Sequence, residues 1–579
     1  MTFTRRFILL ALALVSAFGV AQSTQTGTGG AAATVDRYAT EAAIAVLELG
    51  GNAVDAAVTA AAVLNVTNPF SVGIGGGGFM VVYLADEDRV VTLDMREMAP
   101  GAATPDMFID SATGESINFF PDRISSGLAV GIPGTLLGWE VALERYGTID
   151  LATALAPAID IAENGFPITE TFSEQVAQNL ERFSVFPATA ALYLTADGAA
   201  PEAGSIHKNP DLAQTFRTIA EQGSDALYHG AIGEDLVATV QNPQTVDNPP
   251  FTVRGQTMTM ADLDAYEVRV RRPTVSEYRG YEVYGMGAPS SGGLTVSLIL
   301  NMLDSYDLSA MPEEEAIHTM LEASRLAYAD RGAYMADSDF VNVPVEGLLS
   351  QDFADTRAPL ITDTAGSDPA PGDPFMFQDD PSPPLTPPSA DTEGTSTTHL
   401  TVADAEGNVV SFTTTIESTG GSGIVVPGRG FLLNNELTDF DSAPGGPNVV
   451  EAYKRPRSSM SPTIVMKDGR VVMALGSPGG STIITTVLQT ILNVTDFGMD
   501  LPEAVAAPRL SQRNSSATSI EAEVSPELLE ALMKRGHEFR DPSEIGAATG
   551  IFFNPDGTMT AVAEPVRRSS GTAQVVTPQ

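Results

Sequence analysis

Cysteine is absent from the 579-residue chain, so disulfides, thiolate nucleophiles and cysteine-based metal sites are excluded. Basic residues are few: 31 Lys and Arg stand against 73 Asp and Glu, which gives a formal net charge of −42. This acidity argues against nucleic acids and anionic membrane surfaces as partners. Long apolar runs are lacking beyond the N-terminus, so no later segment is predicted to cross a membrane.

The long apolar run that the chain does have lies at its N-terminus and has the layout of an export signal. Arg5 and Arg6 precede an apolar stretch over residues 7–20, and Gly19-Val20-Ala21 supplies the small residues of a cleavage site. A membrane anchor, the alternative, needs a longer apolar span. We therefore predict a signal peptide over residues 1–21 and a mature protein that is periplasmic or secreted.

Hydrophobic periodicity, together with glycine and proline breaks, predicts a mixture of helices and strands. Helices are expected over residues 34–49, 53–66, 134–146, 151–164, 170–183, 294–303, 313–334, 481–494 and 526–535. Strands are expected over residues 90–95, 278–286, 430–433 and 471–475, with a final hairpin around residues 554–557. His318 is expected to lie on a helix surface and not to bind a ligand.

Thr397 stands at the boundary between two segments of different composition. Residues 362–395 are rich in Pro, Asp, Ser and Thr and are predicted to be a flexible tail or loop. Residues 400–416 follow the order strand, polar turn, strand, which predicts a hairpin. A cut before Thr397 would place a hydroxyl and an α-amine of pKa about 8 on one residue, and the amine could act as the base. The local alternative is a threonine that simply favours a strand.

Two further features suit acyl transfer, and each has a plain structural alternative. Arg96 follows a predicted strand and offers a planar guanidinium for a carboxylate, but pattern alone favours a surface charge paired with Asp94 or Glu97. Gly479 and Gly480 precede a predicted helix, where backbone N–H groups and the positive end of the helix dipole suit an oxyanion. A tight strand-to-helix turn explains the same glycines.

Six motifs give the chain a resemblance to the γ-glutamyltranspeptidases, in that family's order and from about residue 30 to the C-terminus. They are residues 75–80, 94–100, 397–399, 433–435, 454–463 and 476–481. The resemblance implies an α/β (α+β) N-terminal-nucleophile hydrolase, an αββα sandwich of two stacked β-sheets flanked by helices. It also implies a precursor that cleaves itself into a large subunit, residues 22–396 with a disordered tail over 362–395, and a small catalytic subunit, residues 397–579. The two subunits would remain together as a heterodimer.

The resemblance also implies roles for individual residues. Thr397 matches the nucleophile and the first residue of the small subunit, so cleavage is expected between Ser396 and Thr397. Thr415 matches the threonine that forms a hydrogen bond with the nucleophile. Gly479 and Gly480 match the oxyanion hole. No metal and no organic cofactor is implied.

Six residues match the groups that hold the substrate's head group. Those for the α-carboxylate are Arg96, Ser458 and Ser459, and those for the α-ammonium are Glu417, Glu436 and Asp439. A γ-glutamyl group carries both charges on one carbon, so cationic and anionic side chains must lie side by side. The expected substrates are γ-glutamyl compounds such as glutathione. Their glutamyl group would pass to Thr397 as an ester, and then to water, an amino acid or a peptide.

Two departures from the family pattern bear on the reaction. Many members carry Asn and Gln where Glu417 and Glu436 stand, so a more negative pocket is expected here. The family's lid lies between Asp439 and Lys454, and here only fourteen residues separate them, which predicts an open site and favours hydrolysis. Two other functions stay open: a related acylase acting on another acyl group, and an uncleaved periplasmic amino-acid-binding protein.

Overall fold

The structure is a computed structural model and describes residues 23–379, 396–442, 445–567 and 571–576. The predicted signal peptide and residues 380–395 of the predicted tail lie outside these ranges. None of the helices within them is long and apolar enough to cross a membrane.

The α-helices of the described residues are α1 (Arg37–Glu48), α2 (Ala53–Thr67), α3 (Thr135–Tyr146), α4 (Leu151–Asn164), α5 (Glu170–Gln178), α6 (Leu180–Val185), α7 (Pro187–Tyr193), α8 (Pro210–Gln222), α9 (Asp225–Tyr228), α10 (Ala231–Gln241), α11 (Met260–Asp264), α12 (Gly292–Leu303), α13 (Glu313–Tyr334), α14 (Val345–Leu349), α15 (Gln351–Arg357), α16 (Thr482–Thr495), α17 (Leu501–Ala506) and α18 (Pro526–Lys534).

The strands are β1 (Thr24–Gly27), β2 (Gly30–Thr34), β3 (Gly77–Leu84), β4 (Arg89–Asp94), β5 (Phe166–Pro167), β6 (Ile206–His207), β7 (Arg269–Arg271), β8 (Thr274–Tyr278), β9 (Tyr281–Gly285), β10 (Thr398–Asp404), β11 (Val409–Thr415), β12 (Thr463–Lys467), β13 (Arg470–Gly476), β14 (Leu510–Ser511), β15 (Ser519–Ile520), β16 (Thr549–Phe553), β17 (Met559–Val562) and β18 (Thr572–Val575).

Two antiparallel sheets form the centre of the molecule, each with seven strands in the described part of the chain. The first has the order β1-β17-β16-β13-β12-β9-β8, and the second has the order β18-β2-β10-β11-β3-β4-β7. Each sheet therefore combines strands from both sides of the predicted cleavage point. In the second sheet, β10 lies between β2 and β11. A chain cut before β10 would still have its two parts joined by backbone hydrogen bonds within both sheets.

Side-chain alternation along the strands sorts the apolar residues into layers. On β3, Phe79 and Val81 belong to the core shared with the first sheet, whereas Met80 and Val82 pack against the helices on the other face. Helix α2 lies under β10 and β11 and is buried on all sides, as expected for a helix that is apolar all round. Helices α12 and α16 contact strands of the first sheet from its outer side, with α13 packed on α12. The predicted αββα sandwich is confirmed.

Two predicted helices differ from those in the structure. The helix predicted over residues 170–183 is interrupted at Asn179, which ends α5 and precedes α6. The helix predicted over residues 34–49 begins at Arg37, because the small residues just before it form β2. Local periodicity misses β2 because its five residues carry no alternation, and its partners β10 and β18 come from the far end of the chain.

Two predicted strands were also wrong in part. The segment 278–286 contains the end of β8, a turn and β9, because Arg279 and Gly280 both adopt positive φ, the conformation of a tight hairpin turn. Residues 430–433 join neither sheet and instead contribute an isolated bridge between Leu432 and Val425. Several glycines surround that segment, and they favour a loop over a continuous ladder.

The predicted flexible tail is ordered over its first half, which corrects the prediction for residues 362–379. Pro374–Phe377 form a 3-10 helix, and the Phe375 side chain is buried. The Gly372 N–H donates to the buried carboxylate of Asp330 at 2.6 Å. Composition misses this anchor because the groups that provide it lie on α13, earlier in the chain.

His318 is buried, with 2% of its surface exposed, and the prediction of a helix-surface residue was wrong. Its Nδ1 lies 2.7 Å from Nε2 of His537, and its Nε2 lies 2.7 Å from the Thr362 carbonyl oxygen. Helix α18 packs over this part of α13. The outer face of α13 is therefore covered by an element that its own sequence could not reveal.

Candidate active site

The hairpin formed by β10 and β11 brings Thr397 and Thr415 together. Thr398 pairs with Thr414 and Thr401 with Ser411, so the residue before β10 lies opposite the end of β11. The hydroxyl oxygens of Thr397 and Thr415 are 3.2 Å apart, and both side chains are buried. The predicted pairing of these two threonines therefore follows directly from the strand register.

The peptide carbonyl of Ser396 is held by both threonines. It accepts hydrogen bonds from Thr397 Oγ1 at 2.6 Å and from Thr415 Oγ1 at 2.9 Å. The Glu417 N–H donates to Thr415 Oγ1 at 2.9 Å and so occupies an acceptor position of that hydroxyl, whose proton can then point at the carbonyl. The Thr415 hydroxyl is placed to polarise the carbonyl of the peptide bond that is expected to break.

All but one of the predicted site residues line a single cavity. They are Arg96, Ser396, Thr397, Thr415, Glu417, Glu436, Asp439, Ser458, Ser459 and Gly480. Met460 and Ile483 contribute its apolar side. The exception, Gly479, directly precedes Gly480. The space in the cavity that water can occupy is about 20 Å³, enough for one water molecule.

Arg96 forms the cationic part of the cavity and is 1% exposed. Its guanidinium donates to the Glu436 carboxylate and, at 2.5 Å, to Asp439 Oδ2. It also donates to the backbone carbonyls of Pro456 at 3.2 Å and Arg457 at 2.8 Å. Burial disfavours the charge, but the neighbouring carboxylates outweigh this effect and raise the pKa of Arg96. Arg96 is thus a buried, charged residue, and its interpretation as a surface charge was wrong.

Glu97 lies beside Arg96 and is missing from the predicted site residues. It is fully buried, and its Oε2 lies 3.9 Å from Arg96 Nη1. Neither carboxylate oxygen accepts a hydrogen bond from an N–H or hydroxyl of another described residue. Burial raises the pKa of Glu97 to about 7 and also raises the pKa of Glu436, where the nearby charge of Glu97 adds to the effect. Burial therefore favours the protonated form of both carboxyls.

Ser458 and Ser459 are held in place by residues far away in the sequence. Arg331, in the last turn of α13, donates to Ser459 Oγ at 2.7 Å and to Ser291 Oγ at 2.8 Å. The N–H and hydroxyl of Ser291 both donate to the Ser458 carbonyl at 2.7 Å. Nothing in the sequence distinguishes Arg331 from any other arginine at a helix end, and sequence reasoning missed it.

Glu417 reaches the cavity through an unusual backbone conformation. Its φ is +77°, a region that a non-glycine residue adopts at a cost of about 1–2 kcal/mol. Its carboxylate accepts from the Asn435 side chain and, at 2.5 Å, from Ser418 Oγ. The chain therefore turns sharply after Thr415 and places this carboxylate against the cavity.

Residues 440–453 are the segment in which the resemblance places a lid, and Asn448 connects the described part of this segment to both sides of the site. Asn448 is fully buried, and its Nδ2 donates to the Asp439 carbonyl at 2.8 Å. Its Oδ1 accepts from the Arg457 N–H at 2.9 Å. Lys454 Nζ donates to the Pro447 carbonyl at 2.8 Å. These bonds fold the loop's described residues back on its own base.

Gly479 and Gly480 connect β13 to α16, and both need the conformational freedom of glycine. Their φ values are +136° and +56°, and a Cβ on Gly479 would lie 2.6 Å from Thr482 Oγ1. Gly480 lines the cavity together with Thr397. The predicted pair of backbone donors therefore lies at the start of a buried helix and next to the nucleophile.

His399, two residues after Thr397, is not placed to act as a general base. Its ring nitrogens lie 2.8 Å from Thr413 Oγ1 and 3.1 Å from Thr401 Oγ1, and burial lowers its pKa to about 3. It does not line the cavity. The base for Thr397 must come from another group.

A buried threonine that opens a central strand of an αββα sandwich, with its partner hydroxyl and a glycine pair beside it, defines the class of N-terminal-nucleophile hydrolases. The family model of the γ-glutamyltranspeptidases matches residues 39–574. The glutathione hydrolase proenzyme of Bacillus subtilis (strain 168) is 42% identical over 552 residues, covering 94% of this chain and 91% of that protein. The chain therefore belongs to the γ-glutamyltranspeptidase family, and the predicted enzyme class and function are confirmed.

Some of the proteins that are similar to this chain are named as acylases. The acylase ACY 1 proenzyme of Pseudomonas sp. (strain V22) is 36% identical over 572 residues, covering 97% of both chains. A crystal structure of cephalosporin acylase from Bacillus halodurans superposes with a TM-score of 0.85 at 26% identity, covering 99% of this chain and 100% of that one. The fold is thus shared by both groups, and the choice of substrate must be argued from the cavity.

Proposed function

We propose that the chain cleaves itself between Ser396 and Thr397 and then hydrolyses γ-glutamyl amides, such as glutathione, through an ester on Thr397. The observation that carries this proposal is the cavity that Thr397 shares with Arg96 and with the carboxylates of Glu436 and Asp439. An α-amino-acid head group needs this combination of one fixed cation and nearby anions.

Maturation is an exchange of an amide for an ester, followed by hydrolysis. Thr397 Oγ attacks the Ser396 carbonyl carbon, the C–N bond breaks, and the hydroxyl proton ends on the released amine. Water then cleaves the ester, leaving a carboxylate on Ser396 and an α-amine on Thr397. The hydrogen bond from Thr415 stabilises the negative charge that develops on the Ser396 oxygen.

In turnover, the new α-amine of Thr397 takes the proton of the Thr397 hydroxyl as that oxygen attacks the γ-carbonyl. The amides of Gly479 and Gly480 stabilise the oxyanion. The amine product leaves with a proton, and the glutamyl group stays on Thr397 as an ester. Water releases glutamate, or an amino acid or peptide amine accepts the group.

Two side-chain sets orient the head group. Arg96, Ser458 and Ser459 hold the α-carboxylate. The acidic residues Glu417, Glu436 and Asp439 bracket the α-ammonium. All six line the cavity with Thr397. Charge-assisted contacts on both sides of one carbon fix the direction in which the γ-amide points.

Hydrolysis is favoured over transfer because only fourteen residues separate Asp439 from Lys454, which is too few to cover the site. An ester that is sealed from bulk water survives until an amine arrives, whereas an exposed one meets water throughout its lifetime. The predicted signal peptide over residues 1–21 supports a periplasmic or secreted location, and the interleaved sheets support a lasting heterodimer of the two subunits.

The test combines cleavage and activity in a matched pair of variants. Thr397→Val removes the proposed nucleophile, and Thr398→Val removes a buried hydroxyl that has no hydrogen-bond partner among the described residues. On a denaturing gel the wild type and Thr398→Val should give two bands, and mass spectrometry should show a small fragment beginning at Thr397. Thr397→Val should remain one inactive chain. A fragment that begins elsewhere, or cleavage of Thr397→Val, would overturn the proposal.

The choice between γ-glutamyl and other acyl substrates needs a second assay. The matured protein should hydrolyse a γ-glutamyl anilide and should be roughly a hundredfold less efficient with the anilide of glutaric acid, which keeps the carboxylate but lacks the α-ammonium. Equal efficiency on both anilides would show that the acidic residues do not select the α-ammonium of the head group.

A further inference from the structure

We propose that Ser71 is a positioning residue for self-cleavage, acting through its hydrogen bond to the side chain of Ser396. The inference rests on the proposed cleavage between Ser396 and Thr397. Ser71 lies in the loop between α2 and β3, more than three hundred residues before the scissile bond, and no part of the sequence reasoning pointed to it.

The contact is short and excluded from water. Ser71 Oγ lies 2.9 Å from Ser396 Oγ, and Ser71 is 1% exposed. Ser396 Oγ also donates to the Phe70 carbonyl at 3.2 Å. A serine hydroxyl has one proton, so Ser396 must accept the bond in which Ser71 donates. The Ser71 hydroxyl and the Phe70 carbonyl thus both hold the Ser396 side chain.

The loop that carries Ser71 is itself well anchored. The Ile416 N–H donates to the Ser71 carbonyl at 3.1 Å, and the Gly420 N–H donates to the Phe70 carbonyl at 2.8 Å. The Phe70 ring packs against the rings of Phe172 and Tyr193, with centroids 4.7 and 4.9 Å away. Ser71 is therefore a fixed point and not a mobile side chain that happens to meet Ser396.

Ser396 is consequently held at two places. Its side chain is held by Ser71 and Phe70, and its carbonyl is held by Thr415 at 2.9 Å. With both held, rotation about the bond between the Ser396 Cα and its carbonyl carbon is blocked, and the carbonyl keeps one face toward Thr397 Oγ. Attack on a carbonyl depends steeply on such alignment. Without the Ser71 bond, the Ser396 side chain would keep only its longer bond to the Phe70 carbonyl, and the group would be oriented less firmly.

The test is a double-mutant cycle on the rate of self-cleavage, because each serine alone is also a buried structural residue. Ser71→Ala and Ser396→Ala should each slow cleavage by about three- to twentyfold, the effect of losing one orienting hydrogen bond. The double variant should be no slower than the slower single variant. Rates would be followed on denaturing gels after a pulse of cell-free synthesis of the full chain.

Two further variants separate positioning from folding. Ser71→Thr keeps the hydroxyl and should restore most of the lost rate. Ser422→Ala removes another fully buried serine hydroxyl, bonded to the Leu433 carbonyl at 3.0 Å and not to Ser396, and should leave the cleavage rate unchanged. If Ser71→Ala slows cleavage because of misfolding, Ser422→Ala should slow it as well.

Each outcome decides the inference. A double variant whose slowing is the product of the two single effects would overturn it, and so would Ser71→Ala cleaving at the wild-type rate. If Ser71→Ala does not fold, Ser396→Ala alone must still slow cleavage, and a wild-type rate there would also overturn it. These results differ from failure of the proposed function, which would appear as a wild-type chain that is not cut before Thr397.

Discussion

Replacing Arg96 with lysine tests head-group recognition most directly, because it keeps the positive charge and removes the planar guanidinium. The guanidinium donates to two backbone carbonyls and to the carboxylates of Glu436 and Asp439 from three different nitrogens. A lysine ammonium has one nitrogen on a flexible stem and cannot present two parallel N–H groups to a carboxylate.

The expected loss follows from these contacts. A buried hydrogen bond to a charged group contributes about 1.5–3 kcal/mol. The lysine ammonium would lose one such bond to the substrate carboxylate and form the second with poorer geometry. About 2–4 kcal/mol of transition-state stabilisation is therefore lost. That corresponds to a fall in kcat/KM of roughly 30- to 1000-fold. Self-cleavage should be unaffected, because the Arg96 guanidinium donates to Glu436, Asp439 and two backbone carbonyls, whereas the Ser396 carbonyl accepts from Thr397 and Thr415.

The assay is initial-rate hydrolysis of a γ-glutamyl anilide by fully matured protein. Arg509→Lys is a matched control, since Arg509 is equally buried and pairs with Glu564 at 3.0 Å, but does not line the cavity. It should lower stability and leave kcat/KM within about twofold of the wild type. Wild-type kinetics for Arg96→Lys, or an equal loss for both variants, would refute the proposed role of Arg96.

Two further predictions concern the buried carboxyl pair and the short loop. Burial raises the pKa of Glu97 from 4.5 to about 7, so the folded chain keeps a proton that the unfolded chain releases, and the free energy of unfolding falls as pH rises between these values. Glu97→Gln, made in the uncleaved Thr397→Val chain, should reduce that fall by about 1–3 kcal/mol in urea titrations, and parallel pH curves would contradict the assignment. In product-partitioning assays with a γ-glutamyl donor, glutamate should remain the main product as glycylglycine rises to millimolar levels, with transfer gaining modestly at higher pH because only the unprotonated amine attacks. Diversion of most product into peptide would mean that an element other than residues 440–453 shields the ester.

The sequence is sufficient for those parts of the site that depend on local pattern. The hairpin of β10 and β11 follows from alternation and a polar turn, and its register alone places Thr397 opposite Thr415. Helices α4 and α13 have the bounds that periodicity predicts. The cavity, in contrast, collects residues from six separate segments, and only the family resemblance could indicate that they meet.

What the sequence could not supply are contacts between distant polar groups. His318 and His537 are more than two hundred residues apart, and each is unremarkable in its own helix or loop. Ser71, Glu97 and Arg331 likewise sit in segments whose patterns describe only a turn, a strand end and a helix end. Burial of a polar side chain is decided by its partner, and the partner is visible only in three dimensions.

The charges of the cavity explain why a zwitterionic head group suits it better than a simple acyl group. In the structure, Arg96 is already neutralised by Glu436 and Asp439, and the remaining volume holds about one water molecule. Any substrate carboxylate must displace at least one of these carboxylates from Arg96, and a buried ion that loses its partner costs about 3–5 kcal/mol. An α-ammonium on the same carbon supplies a new partner for the displaced carboxylate at the same moment. A head group with both charges can therefore insert into the ion pair without leaving a charge uncompensated, whereas an acyl group with one negative charge cannot.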